Sequence, residues 1–392
     1  MPGQRVRILG VLGGVAALAA VAFGLWTGFG SHGKRSNRAV VRVNADSPLA
    51  LIAQQIEKGD FRALTAIANK LDSIHDGPPV GVDENEGKDW IAVLKAIRAN
   101  YARLGDGTRG AAASISARIL DRFAADPAPA IWIEALTPVH DIILAALSDR
   151  ALKARVPALI EVKRFWNWQP GRSMDTREEL ILGDWKETFY LSVIDCMANA
   201  DPKVRASAIA CLGELPIDKA AANAAPYVND PDPLVRAQTI VALAKRPQVL
   251  PEDDIIPLIY DVNPDVASKA IEVLKIRGLT NEQIGMCRMV AHPKADIRLS
   301  AIPMLANRVD VDPIVWLIRL SRDTDESVRL KAIEALGARK EIEARDRLAE
   351  IASADRSKVV REAAAKLMVG DDDQTASLPP LPDSSGLKPK AN

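Results

Sequence analysis

Six β-branched residues, each opening an apolar helical stripe, recur along the C-terminal half of the chain at Val204, Val235, Val266, Ile297, Val328 and Val360. The intervals are 31, 31, 31, 31 and 32 residues. A period this regular means one small structural unit copied and stacked. It fixes an all-α, solenoid-type architecture for residues 201–369 before composition is consulted. It also directs attention to surfaces, because stacked units present a face to something else.

The columns of the repeat agree with one another. Four residues after each opening residue stands Ala208, Thr239, Ala270, Ala301, Ala332 or Ala364. Five after it stands Ile209, Ile240, Ile271, Ile302, Ile333 or Ala365, and eight after it Leu212, Leu243, Leu274, Leu305, Leu336 or Met368. Offsets of 4, 5 and 8 fall on one face of a helix. The small residue in the first of these columns lets the next helix approach closely. A second helix follows in every unit except the last, with one apolar column at Ala224, Ile255, Met286, Leu317 and Leu348. Breakers such as Leu215-Pro216, Arg246-Pro247 and Arg277-Gly278 separate the two helices. Asp201, Asp232, Asn263, Asp325 and Ser357 stand three residues ahead of the opening residue, where their side chains can cap the helix start. Lys294 interrupts that column, and Asp296 or His292 is the expected substitute.

An arginine follows the opening residue in five of six copies: Arg205, Arg236, Arg298, Arg329 and Arg361, with Ala267 the exception. The run Asp201-Pro202-Lys203-Val204-Arg205, continuing to Ala208 and Leu212, resembles the bacterial HEAT-like repeat, the short type also found in phycobilin lyases. The resemblance covers about residues 201–369 and implies a superhelical stack of helix pairs in the HEAT/armadillo manner. It further implies that the arginines join neighbouring units through acidic groups, a structural role. It implies little about activity, because such repeats occur in scaffolds, chaperones and a few enzymes.

Composition narrows the functional classes. Hydrophobic residues make up 48% of the 392-residue chain and aromatics only 4%, a mixture suited to close helix packing. Basic and acidic residues number 51 each. Nucleic-acid binding needs a basic excess, so no nucleic-acid partner is expected. The three cysteines, Cys196, Cys211 and Cys287, lack metal or redox spacing and read as buried helix residues. The four histidines are scattered, and no His-Glu pair, GxSxG, P-loop or GxGxxG occurs. No catalytic residue, metal or cofactor is therefore expected. A lyase-related enzyme, or an accessory factor for cofactor attachment, is the alternative by analogy of fold alone.

Residues 8–29 carry no charge. As a helix they would span about 33 Å, enough for a hydrocarbon core of about 30 Å. Residues 1–30 are therefore expected to be a transmembrane anchor or a signal segment, and residues 31–47 a basic linker. A single-pass protein of the cell membrane with an extracytoplasmic body is the favoured reading.

Residues 48–164 show helical patterning without the strict period, with helices expected at 48–58, 60–75, 87–103, 108–123, 130–147 and 151–164. Residues 154–160 look like the second helix of a diverged unit, so the stack should begin upstream of residue 201. The acidic segment 76–86 reads as a solvated loop, and residues 370–392 as a disordered tail. Residues 165–200 form an aromatic-rich junction: six of the 17 aromatic side chains fall between 165 and 190. Trp166, Trp168, Trp185 and Tyr190, beside Arg172, are the candidate residues for docking a protein partner. The competing reading is that they fill an irregular core. The sequence thus points to a membrane-anchored, non-catalytic HEAT-like scaffold for protein–protein interaction.

Overall fold

A computed structural model describes residues 47–75, 82–123, 129–168, 174–305 and 311–375. The described residues form helices and turns with no strand. The first six helices are Pro48–Glu57, Ala63–His75, Glu84–Asn100, Asp106–Asp121, Pro129–Leu147 and Leu152–Asn167. Each boundary lies within three residues of the position read from the sequence. Three of the four acids in segment 76–86 open a helix instead of lining a loop. Asp83 caps Glu84–Asn100 by accepting from the backbone N–H groups of Asn85 and Glu86 at 2.8 and 2.9 Å, and Glu84 and Glu86 occupy the first turn. Carboxylates there meet unpaired N–H groups and the positive end of the helix dipole.

Helix Thr176–Met197 leads into the regular array. Six units follow, numbered 1 to 6, whose first helices are Pro202–Glu214, Pro233–Ala242, Pro264–Ile276, Ala295–Leu305, Glu326–Gly337 and Lys358–Thr375. Second helices in units 1 to 5 begin at Asp218, Glu252, Asn281, Pro313 and Ile342. The last helix runs past Gly370, where a polar tail was expected to begin; residues 376–392 lie outside the described residues.

The two-layer stacking starts before the regular repeats. Ala63–His75, Asp106–Asp121, Leu152–Asn167 and the first helix of unit 1 pack in succession as one layer. Pro48–Glu57, Glu84–Asn100, Pro129–Leu147 and Thr176–Met197 pack in succession as the other. Residues 154–160 therefore lie in the first-helix layer, not the second-helix layer expected for them. Both share the same apolar period, and only the neighbours distinguish the layers.

The repeated columns are the core. Val204, Val235, Val266, Val328 and Val360 are all buried, as are Leu212, Leu243, Leu274, Leu305 and Leu336. Small residues set the spacing between units. A Cβ on Gly213 would meet the Cβ of Ala242 at 2.6 Å and its carbonyl oxygen at 2.9 Å, so unit 1 lies against unit 2 with no room for a methyl group. Asp201, Asp232, Asn263 and Asp325 cap their helices as the sequence indicated. In unit 4, where Lys294 stands in that column, His292 Nδ1 accepts from the Lys294 N–H at 3.0 Å, which is the turn bond that Asp230, Asp261 and Asp323 make elsewhere and not a cap on the first turn of the helix.

The membrane expectation requires correction. Among the described residues no helix is long and apolar enough to cross a membrane, so a single-pass membrane location is not upheld. Segments 1–30 and 31–46, on which that expectation rested, lie outside the described residues.

Candidate functional site

Two constructions stand out, an arginine ladder along the array and an aromatic junction at its start. In the ladder four of the five guanidinium groups make two kinds of bond. Arg205 Nε and Nη2 donate to both carboxylate oxygens of Asp230, at 3.0 and 2.8 Å. Its Nη1 donates to the carbonyls of Asn199 and Ala200, both at 2.9 Å. Arg236 repeats this on Asp261 and on the carbonyls of Asp230 and Pro231. Arg298 repeats it on Asp323 and the carbonyls of His292 and Pro293. Arg329 repeats it on Asp355 and the carbonyls of Asp323 and Thr324. Arg361 donates to the carbonyl of Asp355.

Asp230, Asp323 and Asp355 thus serve three groups: the arginine before them, the arginine after them through their carbonyls, and their own turn; Asp261 serves the first and the last. The Asp230 carboxylate, for example, also accepts from the Asp232 N–H at 2.8 Å. The carboxylates of Asp230, Asp261 and Asp355 are held below the usual range. At Asp261 the Arg236 hydrogen bond is the main cause, opposed by burial. At Asp230 and Asp355 burial is the largest single influence and raises the value, but the arginine and backbone hydrogen bonds together outweigh it. Bidentate pairing satisfies both charges in a partly desolvated setting. In this ladder the arginines join one unit to the next and are largely withdrawn from solvent.

A second arginine row escaped the sequence reading. Arg246 donates to the carbonyls of Leu215 and Ile217, in the helix–helix turn of the preceding unit. Arg277, 31 residues later, donates to the carbonyls of Leu243 and Ala244 and pairs with Glu252. The signal is the repeat interval itself, since Arg246 and Arg277 occupy equivalent turns 31 residues apart.

The aromatic junction gathers Leu152–Asn167 with Pro129–Leu147 and Thr176–Met197. Phe165 meets Phe189 edge-on at 4.8 Å. Trp168 is buried, packs on Trp132 at 5.3 Å and donates its indole N–H to the Leu120 carbonyl at 3.2 Å. Tyr190 is buried too; its hydroxyl accepts from Asn223 at 2.7 Å, tying the junction to unit 1. Neither ring offers a face to a partner. Trp166 and Trp185 are half-buried at the edge of the cluster. Lys186 lies over the Trp166 ring at 5.7 Å, and burial lowers its pKa. Arg172 lies outside the described residues.

Trp185 is held from beneath by His140, which stacks on it at 5.3 Å and 20°. His140 Nε2 is 2.8 Å from Thr188 Oγ1, and its Nδ1 is 3.1 Å from Asp141 Oδ1. Hydroxyl, imidazole and carboxylate stand in the order a hydrolase uses. Here, however, Thr188 Oγ1 donates to the Trp185 carbonyl at 2.8 Å, and the imidazole is packed between Trp185 and Phe189. The group orients a tryptophan. Sequence distance concealed it, since His140 and Thr188 are 48 residues apart. The cysteines are buried; burial pushes Cys211 up to about 12 and Cys287 up to about 11, the reverse of an activated thiol.

These features define a class: an α-solenoid whose units are bolted together by buried ion pairs. Residues 192–275 and 287–368 match the family model for HEAT repeats. No curated protein matches the chain. Among solved structures, an engineered protein is similar at 15% identity and a TM-score of 0.33, covering 81% of this chain and 87% of that one. The Pds5–Scc1 complex, described in relation to cohesin function, is similar at 12% identity and a TM-score of 0.24. That alignment covers 83% of this chain and 62% of the other.

Proposed function

We propose that this protein is a scaffold that presents its helical stack to a protein partner and performs no chemistry of its own. The observation that carries this reading is the edge of the aromatic junction. Trp166 and Trp185 are half-buried, Trp185 is fixed in plane by His140, and Lys186 sits over Trp166. Pre-oriented tryptophans beside a cation are the residue types that dominate protein–protein binding energy. The docking role foreseen for four aromatic residues thus narrows to these two. The arginine ladder supplies the rigid support and takes no part in recognition.

The test is site-specific photo-crosslinking. A photoreactive residue at Glu187, on the exposed side of the same helix, should capture a discrete partner protein in native extract. The same residue at Lys358, at the far end of the array, should not. Capture should fall in Trp166→Ala/Trp185→Ala while the circular-dichroism spectrum is retained. Equal capture from both positions, or no loss in the double variant, would remove the junction from the binding surface.

A further inference from the structure

The ladder has one missing rung, at the boundary between units 3 and 4. Where an arginine belongs stands Ala267, and 25 residues later, where its aspartate belongs, stands His292. Both members of the pair are replaced together. No guanidinium caps the carbonyls of Asp261 and Val262 among the described residues, although the equivalent carbonyls of units 1, 2, 4 and 5 are capped. The Val262 side chain beside them is 96% exposed.

Helix packing changes at the same boundary. First helices pack directly on one another from unit 1 to 2, 2 to 3, 4 to 5 and 5 to 6. Pro264–Ile276 and Ala295–Leu305, the first helices of units 3 and 4, hardly touch. Unit 4 instead meets unit 3 through the second helix, Asn281–Val290.

The second-helix side carries a connection of another kind. Arg319, in the second helix of unit 4, pairs with the Asp253 carboxylate in unit 2 and donates to the Asp253 carbonyl at 3.0 Å. Arg322 approaches the same carboxylate at 3.9 Å. This strut joins units 2 and 4 directly and passes unit 3 by. Gly285, on the bypassed helix, has open space where its Cβ would be. Cys287, on that helix, is wholly buried and lies within the electrostatic reach of Arg319.

We infer that the boundary between units 3 and 4 is a hinge, unfastened along the ladder edge and held closed on the opposite layer by the strut from Arg319 and Arg322 to Asp253. Elsewhere a unit is fixed to its neighbour by both a rung and first-helix packing. Here both fastenings are weakened together, and the strut to Asp253, exposed at the carboxylate but largely buried at the Arg319 guanidinium, is the ion-pair connection that reaches from unit 2 to unit 4. Opening changes the angle between units 1–3 and units 4–6 without unfolding either. It requires the loss of the strut, which ionic strength or a competing charged partner can weaken from its exposed Asp253 side.

The chain supplies its own reporters. In the full-length protein, thiol alkylation resolved by mass spectrometry follows Cys196, Cys211 and Cys287 separately. Asp253→Asn should speed Cys287 labelling roughly fivefold, the scale of one lost partly exposed ion pair, with Cys196 and Cys211 unchanged. Adding Ala267→Arg with His292→Asp, which installs the missing rung, should return Cys287 to the slow rate. An unchanged Cys287 rate in Asp253→Asn overturns the inference. So does a uniform rise at all three cysteines, which would signify general destabilisation, and so does a failure of the added rung to slow Cys287.

Discussion

Arg236 Nε and Nη2 meet the two carboxylate oxygens of Asp261 at 2.8 and 2.7 Å, across the boundary between units 2 and 3. Their side chains are 11% and 6% exposed. A pair this enclosed gains little over a well-packed apolar substitute, but removing one member strands the other. Arg236→Ala should therefore cost about 3–5 kcal/mol, whereas an exposed pair such as Lys331–Glu334 should contribute under about 1 kcal/mol. Urea unfolding of the two single variants compares them directly, and equal midpoints would refute the distinction.

Acid should loosen the ladder. Asp230, Asp261 and Asp355 have folded-state pKa values below the ordinary 3.8. The unfolded chain binds protons first as pH falls, so the stability these groups supply is complete above that ordinary value. It is lost as pH drops through the lower, folded-state values. Unfolding midpoints should be level in these terms above about pH 5 and decline below about pH 4. Asp261→Asn should be less stable at neutral pH and should show a shallower acid decline. An unaltered acid limb in that variant would show that other carboxylates govern it.

Leu274 is fully buried in the middle of the array, on the same helix as Ala267. Leu274→Ala should cost about 2–5 kcal/mol through lost burial and the cavity left behind. Chemical denaturation monitored by helical ellipticity measures it. A midpoint within error of the parent protein would mean that this column does not carry the core.

Gly213 lies in close contact with Ala242 between the first helices of units 1 and 2. Alanine ordinarily gains about 1 kcal/mol over glycine within a helix. At Gly213 the added methyl would lie 2.9 Å from the Ala242 carbonyl oxygen, so Gly213→Ala should destabilise by about 1–3 kcal/mol instead. Gly285→Ala meets no atom within 4 Å and should stabilise. Thermal melts of the two variants should move in opposite directions.

The architecture was legible because every unit repeats the same burial pattern, and Leu212, Leu243 and Leu274 need no neighbour to be recognised as one column. The joining role of the arginines came with the family resemblance, yet their partners at Asp230, Asp261, Asp323 and Asp355 went unread. The spacing of 25 or 26 residues was visible, but no local pattern links an arginine on a helix to an aspartate in a turn. Paired loss at Ala267 and His292 was the sharper clue, since the two stand 25 residues apart, the spacing of an intact rung. The aromatic junction was located by composition, whereas the division between buried Trp168 and half-buried Trp166 was not. Two residues apart on one helix end, they differ because Trp168 turns back onto Trp132 and Leu120 from another part of the chain.

The ladder also bears on how such a chain can change length. Each rung runs from an arginine to an aspartate 25 residues on, or 26 at Arg329, and the next rung starts from that aspartate's own carbonyl. Inserting or deleting one complete unit brings an equivalent aspartate to an equivalent arginine and leaves every rung intact. A shift of a few residues inside a unit breaks two rungs at once. The array can therefore grow or shrink by whole cassettes, and the single extra residue between Val328 and Val360 is absorbed with the Arg329–Asp355 rung still formed.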